Sequence, residues 1–222
     1  MKHAVIVAHP NEHSLTLSCA RAYAESALAH GHEVLARDLY GMRFDPCLRS
    51  GEVPGRDGYC AGEDVRRERE LLADVDVFAL FYPLWFNAPP AILKGYVDRV
   101  FSMGFGYGPA FGGTEPKLGG RKLISFTFSG APDHWVRETG ALAALMTLFD
   151  RHLAQVCGLQ LVDHVHHGGI VDDLTPEAVQ EILESIRQRV DQAFGTPAGA
   201  AASDKPVRRE LFSRPPSRSA AV

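Results

Sequence analysis

FYPLWFNAPPAILKGYVDRVF, residues 81–101, is the stretch whose reading decides the fold. It opens on the apolar end of a buried strand and leaves it through Tyr82-Pro83-Leu84-Trp85-Phe86. A turn stiffened by Pro89 and Pro90 follows. A helix then begins that tolerates proline in its first turn and carries Ile92, Leu93, Tyr96 and Val100 on one face. Aromatic rings and rigid backbone at the carboxyl end of a buried strand are what an open α/β sheet offers a flat ligand. Chemistry is therefore expected here first.

Working outward, residues 4–8 form a short apolar run. Residues 14–30 carry Leu15, Cys19, Tyr23 and Ala27 at helical spacing. Further strands are expected at 32–35, 75–81, 123–128 and 159–165, and a helix at 135–156. Thr175 with Pro176 opens a last helix whose stripe is Val179, Ile182, Leu183, Ile186 and Val190. Strands that are apolar on both faces and alternate with helices predict an α/β protein: a five-stranded parallel sheet with helices on both faces. Two segments, 39–63 and 102–121, read as long surface loops, the second holding seven glycines together with Phe105, Tyr107 and Phe111. Residues 1–195 read as one domain. Residues 196–222, rich in Gly, Ala, Ser, Pro and Arg, read as a flexible tail with a mild basic cluster at Arg208, Arg209, Arg214 and Arg218.

Composition narrows the function classes. The chain has 222 residues, a 45% hydrophobic share and a net charge of -4. That balance argues against nucleic acid as partner. No apolar run reaches the roughly 18 residues of a membrane span, so no membrane insertion is expected. Cys19, Cys47, Cys60 and Cys157 are scattered, which suits reduced thiols in the cytoplasm. The chain runs from Met1 straight into a strand, so no signal peptide is expected. His164 and His166 share one strand face and raise a metal reading, set against a plain solvated strand end; no carboxylate or cysteine partner is placed by the sequence.

The loop after the first strand, residues 8–16, lacks both GxGxxG and GxxxxGK[ST], which excludes a dinucleotide fingerprint and a P-loop. It offers His9, the hydroxyls of Ser14 and Thr16, and helix N-terminal amides to a phosphate, with simple helix capping by Ser14 as the alternative. Residues 83–87 and 127–132 exit neighbouring strands, and Ser129 and Gly130 allow backbone N–H groups close to a planar ring. A phosphate loop, a proline-stiffened aromatic loop and a small-residue amide loop together make a flavin cradle. The alternative for Trp85 and Phe86 is packing under a helix, and for Tyr107 a loop anchor.

AHPNEHSLT (8–16), DLYGMRFDP (38–46), PLWFNAPPAILKGYVDRVF (83–101), FGYG (105–108) and SFTFSG (125–130) resemble the NAD(P)H:quinone oxidoreductase family of flavodoxin-like flavoproteins over roughly residues 3–195. The resemblance implies that His9, Ser14, Leu15 and Thr16 contact the flavin phosphates and ribityl chain. Pro83, Leu84, Trp85, Phe86 and Asn87 would line the isoalloxazine, and Thr127, Ser129 and Gly130 its pyrimidine end. Phe86 and Asn87 would also face substrate. Tyr107 would reach across a homodimer interface to cover the partner's site. FAD is the implied cofactor, with FMN the alternative, and NADPH or NADH the donor. The implied reaction is ping-pong, two-electron hydride reduction of quinones or similar planar electrophiles.

Two departures from the family pattern concern proton handling. A tyrosine of some relatives falls on Trp135, whose indole N–H donates but does not titrate. Their histidine falls near Ala141, with the adjacent His134 as substitute, so the catalytic expectation rests on Trp135 and His134. The loop at 47–66 is also short for holding an adenosine end. Rival readings are an ancillary flavoprotein regulating a membrane transporter, a single-electron flavodoxin-type carrier, for which -4 is weakly acidic, and a fold mimic without cofactor.

Overall fold

The computed structural model describes residues 1–55, 58–195 and Phe212. Its elements are β1 (Lys2–Val7), α1 (Leu15–Ala29), β2 (Glu33–Asp38), α2 (Glu63–Leu71), β3 (Val77–Pro83), α3 (Ala91–Val100), β4 (Tyr107–Ala110), β5 (Gly113–Pro116), β6 (Lys122–Phe128), α4 (Asp133–Glu138), α5 (Ala141–Leu145), a π-helical turn (Met146–Arg151), α6 (His152–Cys157), β7 (Gln160–His167) and α7 (Pro176–Phe194). Five parallel strands form one sheet in the order β2-β1-β3-β6-β7. The chain moves from β1 to one neighbour and then, with β3, to the other. The carboxyl ends of β1 and β3 therefore flank a switch point, where open α/β sheets bind ligands.

Every residue of β3 is buried, the signature of a strand covered on both faces. Val5, Val7, Phe81, Ile124 and Phe126 pack against Tyr23 of α1 and Ile186 and Val190 of α7 on one side. Ile6, Phe78, Leu80 and Leu123 pack against Leu93, Tyr96 and Val100 of α3 and Phe149 and Leu153 on the other. Phe212 is buried with the first of these clusters. The remainder of the expected 196–222 tail lies outside the described residues, as does its arginine cluster.

The predicted strands and the helices at 14–30 and 89–101 are found with small shifts of boundary. Three segments differ. Residues 102–121 contain the antiparallel hairpin β4–β5, turned at Gly112, whose φ of 78° only glycine adopts freely. The segment after 62 contains α2, EDVRREREL, whose buried residues are Val65 and Glu68 alone; without an apolar stripe it leaves no periodic signal. Glu68 takes a bidentate pair from Arg37 and accepts the Tyr96 hydroxyl at 2.6 Å. The expected single helix at 135–156 is broken at Gly140 (φ 75°) and again by the π-helical turn.

The described part of the expected loop at 39–63 is pinned rather than wandering. Arg99 of α3, side chain fully buried, donates to Glu52 (2.8 Å from both Nε and Nη2), to Asp64 (2.8 and 3.0 Å) and to the Asp45 carbonyl (2.6 Å). The guanidinium hydrogen bonds hold the Glu52 carboxyl down at about 2. Gly95 permits this docking, because a Cβ there would stand 2.2 Å from the Pro46 carbonyl oxygen.

Candidate active site

The carboxyl ends of β1, β3, β6 and β7 open into a cleft of about 510 Å³. Its first wall is the β1–α1 loop. Ser14 is the N-cap of α1, accepting from the Leu17 amide at 3.3 Å. By helix geometry the amides of Leu15 and Thr16 precede the first intrahelical acceptor and remain available to an anion. Asn11 braces the loop by accepting the His13 amide at 2.9 Å. Among the described residues no lysine or arginine lines the cleft, so there an anion rests on amides, hydroxyls and imidazoles.

The second wall is the exit of β3. The Leu84 amide donates to the Phe128 carbonyl at 2.7 Å, tying this loop to β6. Trp85 and Ala88 exchange backbone hydrogen bonds at 3.2 and 3.1 Å, closing a tight turn whose corners are Phe86 and Asn87. Both corners have positive φ, 50° and 54°. For phenylalanine that conformation is strained, and such strain gathers at functional sites. Trp85 leans over the cleft with its ring centroid 6.0 Å from that of His9.

The third wall is Phe128, Ser129 and Gly130. A fourth, the segment Ile170, Val171, Asp172 and Leu174 after β7, closes the cleft with Val179 of α7. Gly168 lets that segment turn against α4; a Cβ there would lie 2.2 Å from the Asp133 amide nitrogen.

Of the expected site residues, His9, Ser14, Leu15, Thr16, Pro83, Leu84, Trp85, Ser129 and Gly130 line this one cleft. Phe86 projects fully into solvent beside it. Asn87 turns away and donates to the Ala141 carbonyl at 2.9 Å. The Thr127 side chain is buried below the cleft. Trp135 and His134 are exposed on α4 and do not line it. Tyr107 lines a second hollow of about 340 Å³ with Lys94, Phe101, Phe149 and Leu153, and no residue is common to the two. Asn11, His13 and Phe128 stand in loops the sequence named without giving them a role, and Ser18 and the whole fourth wall escaped it. Only the strand order brings the β7 exit beside that of β6, and no motif signals it.

His164 and His166 are not a solvated strand end. Both are buried, and all four of their ring nitrogens are in hydrogen bonds with Asp150, Thr127 and Ser129. Among the described residues no His, Cys, Asp and Glu cluster suits a metal.

Comparison with known proteins agrees with this architecture. A family model described as "Flavodoxin-like fold" matches residues 1–193. An uncharacterized NAD(P)H oxidoreductase of Haemophilus influenzae is 32% identical over 191 residues, 85% of this chain and 95% of that protein. Among solved structures, the NAD(P)H:quinone oxidoreductase from Methanothermobacter marburgensis superimposes with a TM-score of 0.74 at 26% identity, covering 85% of this chain and 96% of that one. An FMN-dependent NADH-azoreductase from Bacillus anthracis, solved with FMN, shares the fold at a TM-score of 0.65 and 17% identity, over 86% of this chain and 98% of that one. The chain belongs to the flavodoxin-like fold family, among relatives named NAD(P)H oxidoreductases.

Proposed function

We propose that this protein is a flavin-dependent NAD(P)H dehydrogenase that reduces quinones or similar planar electrophiles by two electrons. The observation that carries the reading is the cleft itself. A capped helix N-terminus faces a strained, proline-flanked aromatic turn across the switch point of a parallel sheet.

The residues present fit a flavin. The Leu15 and Thr16 amides and the Ser14 and Thr16 hydroxyls suit its phosphate. Pro83, Leu84 and Trp85 give an apolar face for the ring, and Ser129 and Gly130 a polar edge. FAD is the cofactor we favour from the family resemblance, with FMN the alternative. A bound flavin supplies a two-electron acceptor and donor, so nicotinamide and quinone can use the same face in turn. The protein's part is to hold the ring, exclude water with Trp85, and place polar groups where charge develops.

Phe86, Phe111, Trp135 and Leu148 are exposed apolar side chains that an interface between two copies would cover. They favour a homodimer in which Tyr107 of one protomer reaches the cleft of its partner. Four free cysteines favour the cytoplasm. No helix of the described residues is long and apolar enough to cross a membrane.

Anaerobic mixing tests the reading. The purified protein should be yellow, bleach on NADPH or NADH, and recolour on benzoquinone. The flavin released by denaturation is then identified by mass. A protein that takes up neither FAD nor FMN sinks the proposal.

A further inference from the structure

The cleft floor continues inward as a single file of polar side chains. Ser129 Oγ, at the rim, lies 3.1 Å from His166 Nε2 and 2.9 Å from the Ala131 carbonyl. His166 Nδ1 is 2.9 Å from Thr127 Oγ1, which is 2.8 Å from His164 Nε2. His164 Nδ1 is bonded to Asp150, whose other oxygen accepts the Ser125 hydroxyl at 2.7 Å. Thr127, Ser125 and Asp150 are fully buried, and His164 and His166 nearly so.

Two backbone irregularities build this file. The register of β6 against β7 slips between Leu123 and Ile124, so that Ser125 pairs with His164 and Thr127 with His166. Both histidines then face the same side as the threonine, while Asp163 pairs with Arg189 of α7 on the other. The π-helical turn carries Asp150 to the inner end. Irregularities of this kind concentrate at functional sites.

We propose that Ser129, His166, Thr127, His164 and Asp150 form a proton relay that takes one proton from the cleft and returns it during quinone reduction, a role that rests on the oxidoreductase reading above. The chemistry needs one. NAD(P)H brings two electrons and one proton, whereas a hydroquinone takes two of each: NAD(P)H + H⁺ + quinone gives NAD(P)⁺ + hydroquinone. In the empty relay Ser129 donates to His166 Nε2, His166 Nδ1 to Thr127, Thr127 to His164 Nε2, and His164 Nδ1 to Asp150. In the loaded relay the first three bonds are reversed, and His164 carries protons on both nitrogens against the Asp150 carboxylate. On discharge the Ser129 hydroxyl proton leaves to the cleft. His166 Nε2–H then passes to Ser129, the Thr127 proton to His166 Nδ1, and the His164 Nε2 proton to Thr127. Each step breaks and forms one bond to hydrogen, and every polar atom keeps a partner in both states. Solvent reloads the relay through the open cleft.

The groups facing the file are Tyr82 of β3 beside Asp150, Asp133 and Arg137 of α4, and His167 beside His166. Burial first, with His164, Arg137 and His167 adding to it against Asp133, holds His166 down at about 4. That keeps His166 neutral as a conductor, and the Asp150 carboxylate bonded to His164 Nδ1 makes the inner end the place to hold the proton. Ser129 alone touches the cleft; the other four act through it.

Nitrogen-15 spectra of histidine-labelled protein, with and without flavin, test this from pH 5 to 9. The expected result is that His166 carries its proton on Nδ1 when the relay is empty and on Nε2 when it is loaded, staying neutral in both. A His166 fixed in one tautomer across that range overturns the relay. Stopped-flow reoxidation by benzoquinone, in H₂O and D₂O, gives the functional arm. Asp150→Asn and Thr127→Val should slow it by about 100-fold, the low end for lost proton transfer, and abolish its solvent isotope effect. Thr127→Ser should regain both. Wild-type rates in Thr127→Val overturn the proposal even if Asp150→Asn fails to fold. A protein that NAD(P)H never reduces sinks the assigned reaction instead, and the tautomer switch still decides the relay.

Discussion

Phe86 shows how a single residue trades stability for a site. Its positive φ and full exposure are both costly, and no packing in the monomer repays them. Replacement by asparagine, which tolerates that conformation, should raise stability by about 1 kcal/mol. If Phe86 faces substrate, as the family resemblance implies, the same change should also weaken quinone reduction. Urea denaturation and steady-state rates with benzoquinone check the two halves separately. Ser14 is the opposite case, serving fold and site together. Ser14→Ala removes the cap of α1 and should cost about 1 kcal/mol, with weaker flavin binding by equilibrium dialysis.

At the scale of elements, buried charge decides where the loops sit. Glu52→Gln leaves the Arg99 guanidinium paired with Asp64 alone and should destabilise by about 3 kcal/mol, measured by chemical denaturation. The Glu52 carboxyl is depressed in the fold, so its contribution is complete above the unfolded value of 4.5 and is lost as pH falls toward about 2. The variant should show a flatter stability profile across that window. Gly168 sets the meeting of β7 and α4. Gly168→Ala forces a Cβ into the Asp133 backbone and should displace the fourth wall of the cleft. Loss of flavin affinity beyond any loss of secondary structure by circular dichroism is the expected signature.

For the whole molecule, acid sensitivity follows from histidines buried neutral. Burial holds His3 down at about 3 and His166 at about 4. At these two histidines the unfolded chain takes up protons below 6.5 while the folded chain does not, so their contribution to stability is fully present above that pH and falls as pH drops. By pH 5 the loss should reach about 2 kcal/mol for each histidine. Guanidinium titrations at pH 7 and pH 5, repeated on His3→Gln, read it directly. Much of the architecture was legible in the sequence because it depends on local patterns. Runs such as Val77–Pro83, buried on both faces, announce a parallel sheet, and the proline-rich exit after Trp85 announces a turn at its carboxyl edge. The charged α2 escaped because tertiary ion pairs, not an apolar stripe, hold it. The same holds for the site. Ser14, Trp85 and Ser129 each stand at a strand exit and could be named in advance, whereas the wall from Ile170 to Leu174 depends on strand order. The file from Ser129 to Asp150 was beyond reach, since His164 and His166 read as a solvated strand end or a metal site. A one-residue slip between β6 and β7 and a π-helical turn aim them at a carboxylate 14 residues earlier in the chain. Composition and periodicity determine which segments are buried and hence the sheet. Which side chains meet within it is decided by register and helix winding, because a shift of one residue turns every side chain of a strand to the opposite face.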